Sequence, residues 1–141
     1  MGNPTKITSL LIPTVTLTAA TTLTRADSGK TFMLNTAGGF TVTLPTLNAA
    51  LNGWAAKFIV KTAPTTAYII TAGTDTDTIK GNLNSSTGQT AAMDFETAGG
   101  DVVNFVANQA VAGDYLDFTT DGVVWFVEGS ATIIAALTIT G

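Results

Sequence analysis

The stretch Tyr115-Leu116-Asp117-Phe118-Thr119-Thr120-Asp121-Gly122-Val123-Val124-Trp125-Phe126-Val127 reads as two alternating runs joined at Asp121-Gly122. Asp-Gly is a strong hairpin signal, because a type I′ turn needs positive φ at both central residues. A two-residue turn here predicts Phe118 opposite Trp125 and Leu116 opposite Val127 on one face. Asp117 and Phe126 then face the other way. Both runs agree on which side is apolar, so the stretch predicts an antiparallel hairpin with one buried face.

The same signals extend outward. Phe40-Thr41-Val42-Thr43-Leu44 alternates with period two and Pro45 ends it; Phe32 and Leu34 form a shorter alternating pair. Ala37-Gly38-Gly39 lies between these runs and reads as a hairpin loop. Further strands are expected over residues 57–61, 68–71, 90–95, 102–107 and 132–140. Leu10-Leu11-Ile12 and Val15-Thr16-Leu17-Thr18 flank Pro13, which marks a break or an edge because it cannot donate to a ladder. Thr makes up about a fifth of the chain, and Thr, Val, Ile and Phe suit a pleated surface. Residues 47–54 can form a helical turn stopped by Gly53; no other window has helical periodicity. Residues 73–88, GTDTDTIKGNLNSSTG, are polar and turn-rich and read as an exposed loop or hairpin tip. The expectation is one all-β domain, residues 14–141, of many short antiparallel strands in a β-sandwich, a jelly-roll-like fold or a barrel. An extended N-terminal arm, residues 1–13, precedes it.

Composition narrows the function. The chain has no Cys and no His, which removes His-based triads, thiolate nucleophiles, disulfides and zinc fingers. Charged residues are 11% of the chain, well under the usual ~25%, and mean hydropathy is +0.37. Apolar surface beyond what one small core absorbs points to a protein–protein interface. The net charge is −4, with six basic residues and no basic cluster, so no nucleic-acid partner is expected. No run approaches the ~20 apolar residues of a membrane span. Residues 1–6 show no basic region leading into an apolar core, so neither signal peptide nor membrane is expected.

The polar candidates for chemistry are weak. Asp75 and Asp77 form a D-x-D pair, but Ca²⁺ takes six to eight oxygens and no EF-hand pattern surrounds them; they read as a solvated turn. Asp94, Glu96, Asp101, Asp114, Asp117, Asp121 and Glu128 include no pair that spacing singles out for glycoside hydrolysis. Trp54, Tyr68, Tyr115 and Trp125 suit either a sugar-stacking platform or core packing. Gly38-Gly39 and Gly99-Gly100 lack a phosphate-loop pattern. No enzyme activity, cofactor or metal is expected. The clearest candidate for partner contact is the arm: Lys6-Ile7-Thr8-Ser9-Leu10-Leu11-Ile12 can form a strand between Pro4 and Pro13. Adding it to a foreign sheet edge would bury Ile7, Leu10, Leu11 and Ile12.

Several segments carry a family resemblance. They are Leu23-Thr24-Arg25-Ala26-Asp27-Ser28-Gly29-Lys30-Thr31-Phe32, Gly39-Phe40-Thr41-Val42-Thr43-Leu44-Pro45 and Phe58-Ile59-Val60-Lys61-Thr62-Ala63-Pro64. Val103-Asn104-Phe105-Val106-Ala107-Asn108 and the run from Gly113-Asp114-Tyr115 through Asp121-Gly122-Val123-Val124-Trp125 continue it. Together, over residues 17–129, they resemble small head-decoration (cement) and head-fibre proteins of tailed bacteriophages. The resemblance implies a structural virion protein on the outer surface of the capsid, with the major capsid protein and further copies of itself, as a homotrimer, for partners. It brings no catalytic residues. The alternatives are a tail or fibre domain that recognises a host surface and a secreted carbohydrate-binding module.

Overall fold

The computed structural model describes residues 11–87 and 95–141. They form twelve strands in two mixed sheets, with only short 3-10 turns between them. The first six strands are β1 (Thr14–Leu17), β2 (Thr21–Thr22), β3 (Thr31–Leu34), β4 (Thr41–Thr43), β5 (Ala55–Val60) and β6 (Tyr68–Thr71). The rest are β7 (Ile79–Thr87), β8 (Phe95–Gly100), β9 (Val102–Phe105), β10 (Tyr115–Thr120), β11 (Trp125–Ile133) and β12 (Leu137–Thr140). The larger sheet has the order β1-β3-β5-β10-β11-β7-β8, and the smaller β12-β9-β6-β4-β2.

The first half winds. The chain alternates between the sheets, so β1, β3 and β5 are parallel neighbours in one and β2, β4 and β6 in the other. The expectation of uniformly antiparallel strands is therefore corrected. Ala37-Gly38-Gly39 is not a hairpin loop either, because β3 and β4 lie in different sheets and the glycines turn the corner between them. Successive corners stack. Thr36 Oγ1 donates to Thr18 O at 2.8 Å, and Thr62 Oγ1 to Asn35 Oδ1 at 2.6 Å. Ala37 O accepts from Thr65 N at 2.7 Å and from Thr65 Oγ1 at 2.9 Å. Tyr68 reaches under these corners from β6: its hydroxyl donates to Thr62 O at 2.8 Å and accepts from Thr36 N at 2.9 Å. Burial raises its pKa, and the Thr36 amide partly opposes that.

Period two holds within each strand. Inward residues of both sheets share one core. Phe32 stacks on Phe58 at 5.4 Å because the parallel register makes them direct partners. Trp54, Phe118 and Trp125 meet edge to face. Trp54 Nε1 donates to Thr24 O at 3.1 Å, which ties two successive connections of the winding together. Burying side chains of this size stabilises by roughly 1.5–3 kcal/mol each.

The second half contains the predicted hairpin, with a changed turn. β10 and β11 are antiparallel, but Thr120 faces Trp125, Phe118 faces Val127 and Leu116 faces Gly129. The expected register is thus corrected by two residues. The loop is residues 121–124, and Asp121 has no positive φ, so the turn is not type I′. Asp121 Oδ1 accepts from Val123 N at 2.8 Å and Val124 N at 3.0 Å, which spreads the reversal over four residues.

Residues 79–87 of the expected polar loop are β7, a nine-residue strand between β11 and β8; only residues 73–78 of the described part connect strands. The 47–54 turn is a 3-10 turn, Ala49–Leu51, followed by Gly53 at φ +87°. The 132–140 strand is split by a second one, Ile134–Ala136. Of the expected 90–95 strand, residues 90–94 lie outside the described residues. No helix among the described residues is long and apolar enough to cross a membrane.

Candidate functional site

The outward face of the large sheet carries a groove of about 710 Å³ that runs across the strands from Ile12, just before β1, to Lys80 and Asn82 on β7. Period two sets its floor. Lys57 on β5, Asp117 on β10 and Glu128 on β11 are register partners in one row across the sheet. Ala55, Thr119, Phe126 and Lys80 form the next row. Phe126 is 44% exposed, while its neighbours Trp125 and Val127 point into the core.

The groove concentrates charge in a chain that has little. Lys30, Lys57 and Lys80 line it, three of the six basic residues. Lys30 Nζ is taken by Asp27 Oδ1 at 2.7 Å, the one ion pair among the described residues. Burial alone would raise the Asp27 carboxyl, but hydrogen bonds from Lys30 and the Thr24 amide, with the Lys30 charge, hold it below its ordinary value. Lys57 Nζ sits 4.3 Å from the centre of the Tyr115 ring, a cation–π contact rather than a pair with Asp117. Asp117 and Glu128 therefore face each other with no ion-pair partner among the described residues. Directly opposed like charges destabilise a sheet by a few tenths of a kcal/mol up to about 1.

Of the four expected contact residues, Ile7 and Leu10 lie outside the described residues. Leu11 and Ile12 are 82% and 67% exposed, the first and third most exposed large apolar side chains among the described residues, and Ile12 lines the groove. Neither is in a strand of the domain, since β1 begins at Thr14. Val123, 73% exposed, comes between them in exposure and lies in the hairpin loop.

The other candidates have structural partners. Asp77 Oδ2 accepts from Leu47 N at 2.9 Å and closes a loop contact. Asp114, 3% exposed, accepts from Val111 N and Thr132 N, each at 2.9 Å, and so ties the start of β10 to β11. The Val124 amide, followed by that of Val123, holds the Asp121 carboxyl below its ordinary value. Trp54, Tyr68 and Trp125 are core residues, which corrects the sugar-platform alternative; only Tyr115 of that group faces outward. Asp94 and the side chain of Glu96 lie outside the description. The Asp117–Glu128 juxtaposition was missed by sequence reasoning, because it follows only from the β10–β11 register.

No family model, curated protein or solved structure matches this sequence.

Proposed function

We propose that this chain is a structural virion protein, a decoration protein that binds the outer surface of a tailed-phage capsid and cements contacts between major capsid protein subunits. The observation that carries this reading is the pair Leu11 and Ile12, 82% and 67% exposed beside a groove with Phe126 on its floor. Adjacent apolar side chains left in water at the edge of a folded domain suit a partner surface. The resemblance of residues 17–129 to head-decoration proteins supplies the class of partner. The two sheets around one core support the sandwich form, residues 14–141, with residues 1–13 as an arm. The role is mechanical and needs no catalytic site. The working unit in this reading is a homotrimer, the state that the resemblance to decoration proteins implies.

The test is a pelleting assay with capsids that lack the protein. The full chain should co-sediment in hundreds of copies per particle and run as a trimer. A chain lacking residues 1–12 should keep a near-native melting temperature but bind capsids at least tenfold more weakly. Unfolding of the truncated chain would place the arm in the domain's own core. Unchanged binding would remove the arm from the capsid contact, and no binding by the full chain would end the decoration reading.

A further inference from the structure

We propose that Thr120 is a clamp on two latent modification sites: it holds the glycine amides of Asn52-Gly53 and Asp121-Gly122 and so keeps both dipeptides from closing to succinimides. These are the one Asn-Gly and the one Asp-Gly of the chain. Glycine makes such pairs labile, because without a Cβ its backbone swings freely and its nitrogen approaches the preceding side chain unhindered. At Asn52 the Gly53 nitrogen would attack Cγ. A C–N bond forms, and Nδ2 leaves as ammonia with the amide proton. A solvent water then opens the ring to aspartate or isoaspartate. At Asp121 the Gly122 nitrogen would attack the protonated carboxyl, water leaves, and a second water reopens the ring. Both side chains are exposed, so solvent reaches them.

The structure withholds both nitrogens through one residue. Thr120 is 4% exposed. Its carbonyl accepts from Gly53 N at 2.9 Å, and its hydroxyl accepts from Gly122 N at 2.9 Å. The hydroxyl donates in turn to Val124 O at 2.6 Å, and Thr120 N donates to Trp54 O at 3.2 Å, so the clamp is fixed from both sides. An amide nitrogen becomes a nucleophile only on losing its proton, and each of these protons is committed to an acceptor. Buried polar groups give up such bonds at a cost.

The electrophiles are turned away as well. Ring closure needs the following nitrogen eclipsed with Cβ, whereas Asn52 has ψ 121°, which points Gly53 N elsewhere. Rotating that peptide would break the bond to Thr120 O. At Asp121 the Val123 and Val124 amides bind Oδ1 and favour the ionised carboxylate, which does not lose water. This inference goes beyond the decoration reading and does not rest on it. Its consequence is durability, since an isoaspartate carries the main chain through Cβ and would lengthen a turn that sets the β10–β11 register.

The experiment follows both sites by peptide mapping with mass spectrometry, and isoaspartate by enzymatic methylation, during incubation at neutral pH. If reaction needs the opened clamp, each site should react at least about tenfold more slowly in the native chain than in concentrated urea. Equal rates at either site overturn the clamp there, and this comparison needs no variant. Thr120→Val keeps the carbonyl and removes the hydroxyl. Isoaspartate at Asp121 should then form at least about fivefold faster, with Asn52 changed less than about twofold. Thr120→Ser should return Asp121 to the parent rate. No acceleration in Thr120→Val, equal acceleration at both sites, or no rescue by Thr120→Ser overturns the role of the hydroxyl.

Discussion

Residues 14–71 and residues 102–140 are made of similar strands, short and period-two, yet the two regions are assembled differently. In the first, each strand finds its neighbour one full winding later: Phe32 lies beside Phe58, not beside any residue of the next run. In the second, β10 pairs with the strand that follows it. The corners differ in the same way. Those of the winding are held by one another through backbone and threonine contacts between distant residues. The β10–β11 turn is held by its own Asp121 and Thr120 side chains. Alternation thus decides which side chain is inside, while the reach of the connecting segment decides which strand is the neighbour.

The comparison breaks most sharply at Gly39. Its φ is +65°, and a Cβ there would run into the carbonyl oxygens of Thr66 and Ala67 in the next corner. Gly39→Val combines left-handed strain with a backbone clash, so it should cost about 4 kcal/mol or more and leave the chain largely unfolded. Gly38→Ala, whose Cβ would find its nearest atom 4.0 Å away at Thr36 Cγ2, should stay within about 0.5 kcal/mol of the parent. Urea unfolding of both variants checks this. Similar midpoints would mean that corner stacking does not hold the winding.

The hairpin turn should be damaged less. Gly122 has φ +92°, and a Cβ there would come 2.7 Å from Asn48 O. Gly122→Val should cost about 3 kcal/mol, since the loop carrying Asn48 is exposed and can give. Gly113 has φ +100° with open space around it, so Gly113→Val isolates strain alone and should cost about 1 kcal/mol. A Gly122→Val loss no larger than that of Gly113→Val would mean that the Asn48 contact carries no energy and the turn is independent of the winding half.

The facing of side chains was legible. Leu116, Phe118, Trp125 and Val127 are inside and Phe126 is outside, as their alternation required. Register was not legible, because a slip of two residues leaves every side chain on the same face. The slip came from Asp121, whose carboxylate draws in two following amides. β7 was hidden by its small inward residues: Gly81 and Ser85 alternate with Ile79 and Leu83, and a Cβ at Gly81 would collide with Val127 O. A strand that packs this closely against β11 needs a loop-like composition. The groove escaped the sequence for the same reason as the register, because Asp117, Glu128 and Lys57 become neighbours only once three strands are aligned. Leu11 and Ile12 stood out as apolar residues beside Pro13, and the structure leaves both exposed, while Ile7 and Leu10 lie outside the described residues.

The smallest expected effect separates the two kinds of corner by pH. The stacked corners at residues 35–40 and 61–67 contain no carboxylate, whereas the hairpin turn is held by one. The Val124 and Val123 amides hold the Asp121 carboxyl below its ordinary value of 3.8. A carboxylate whose pKa is lower in the folded state adds stability that is fully present above the unfolded value and disappears as pH falls through the folded one. Asp121→Asn keeps an oxygen that accepts from both amides but has no charge to titrate. At about pH 6 the variant should melt slightly below the parent, and the gap should narrow as pH falls below 3.8 and through the lowered folded-state value. Melting temperatures of both proteins across that range are the measurement. A gap that stays constant with pH would show that amide geometry, not carboxylate charge, holds the turn, and the two kinds of corner would then differ only in the range of their contacts.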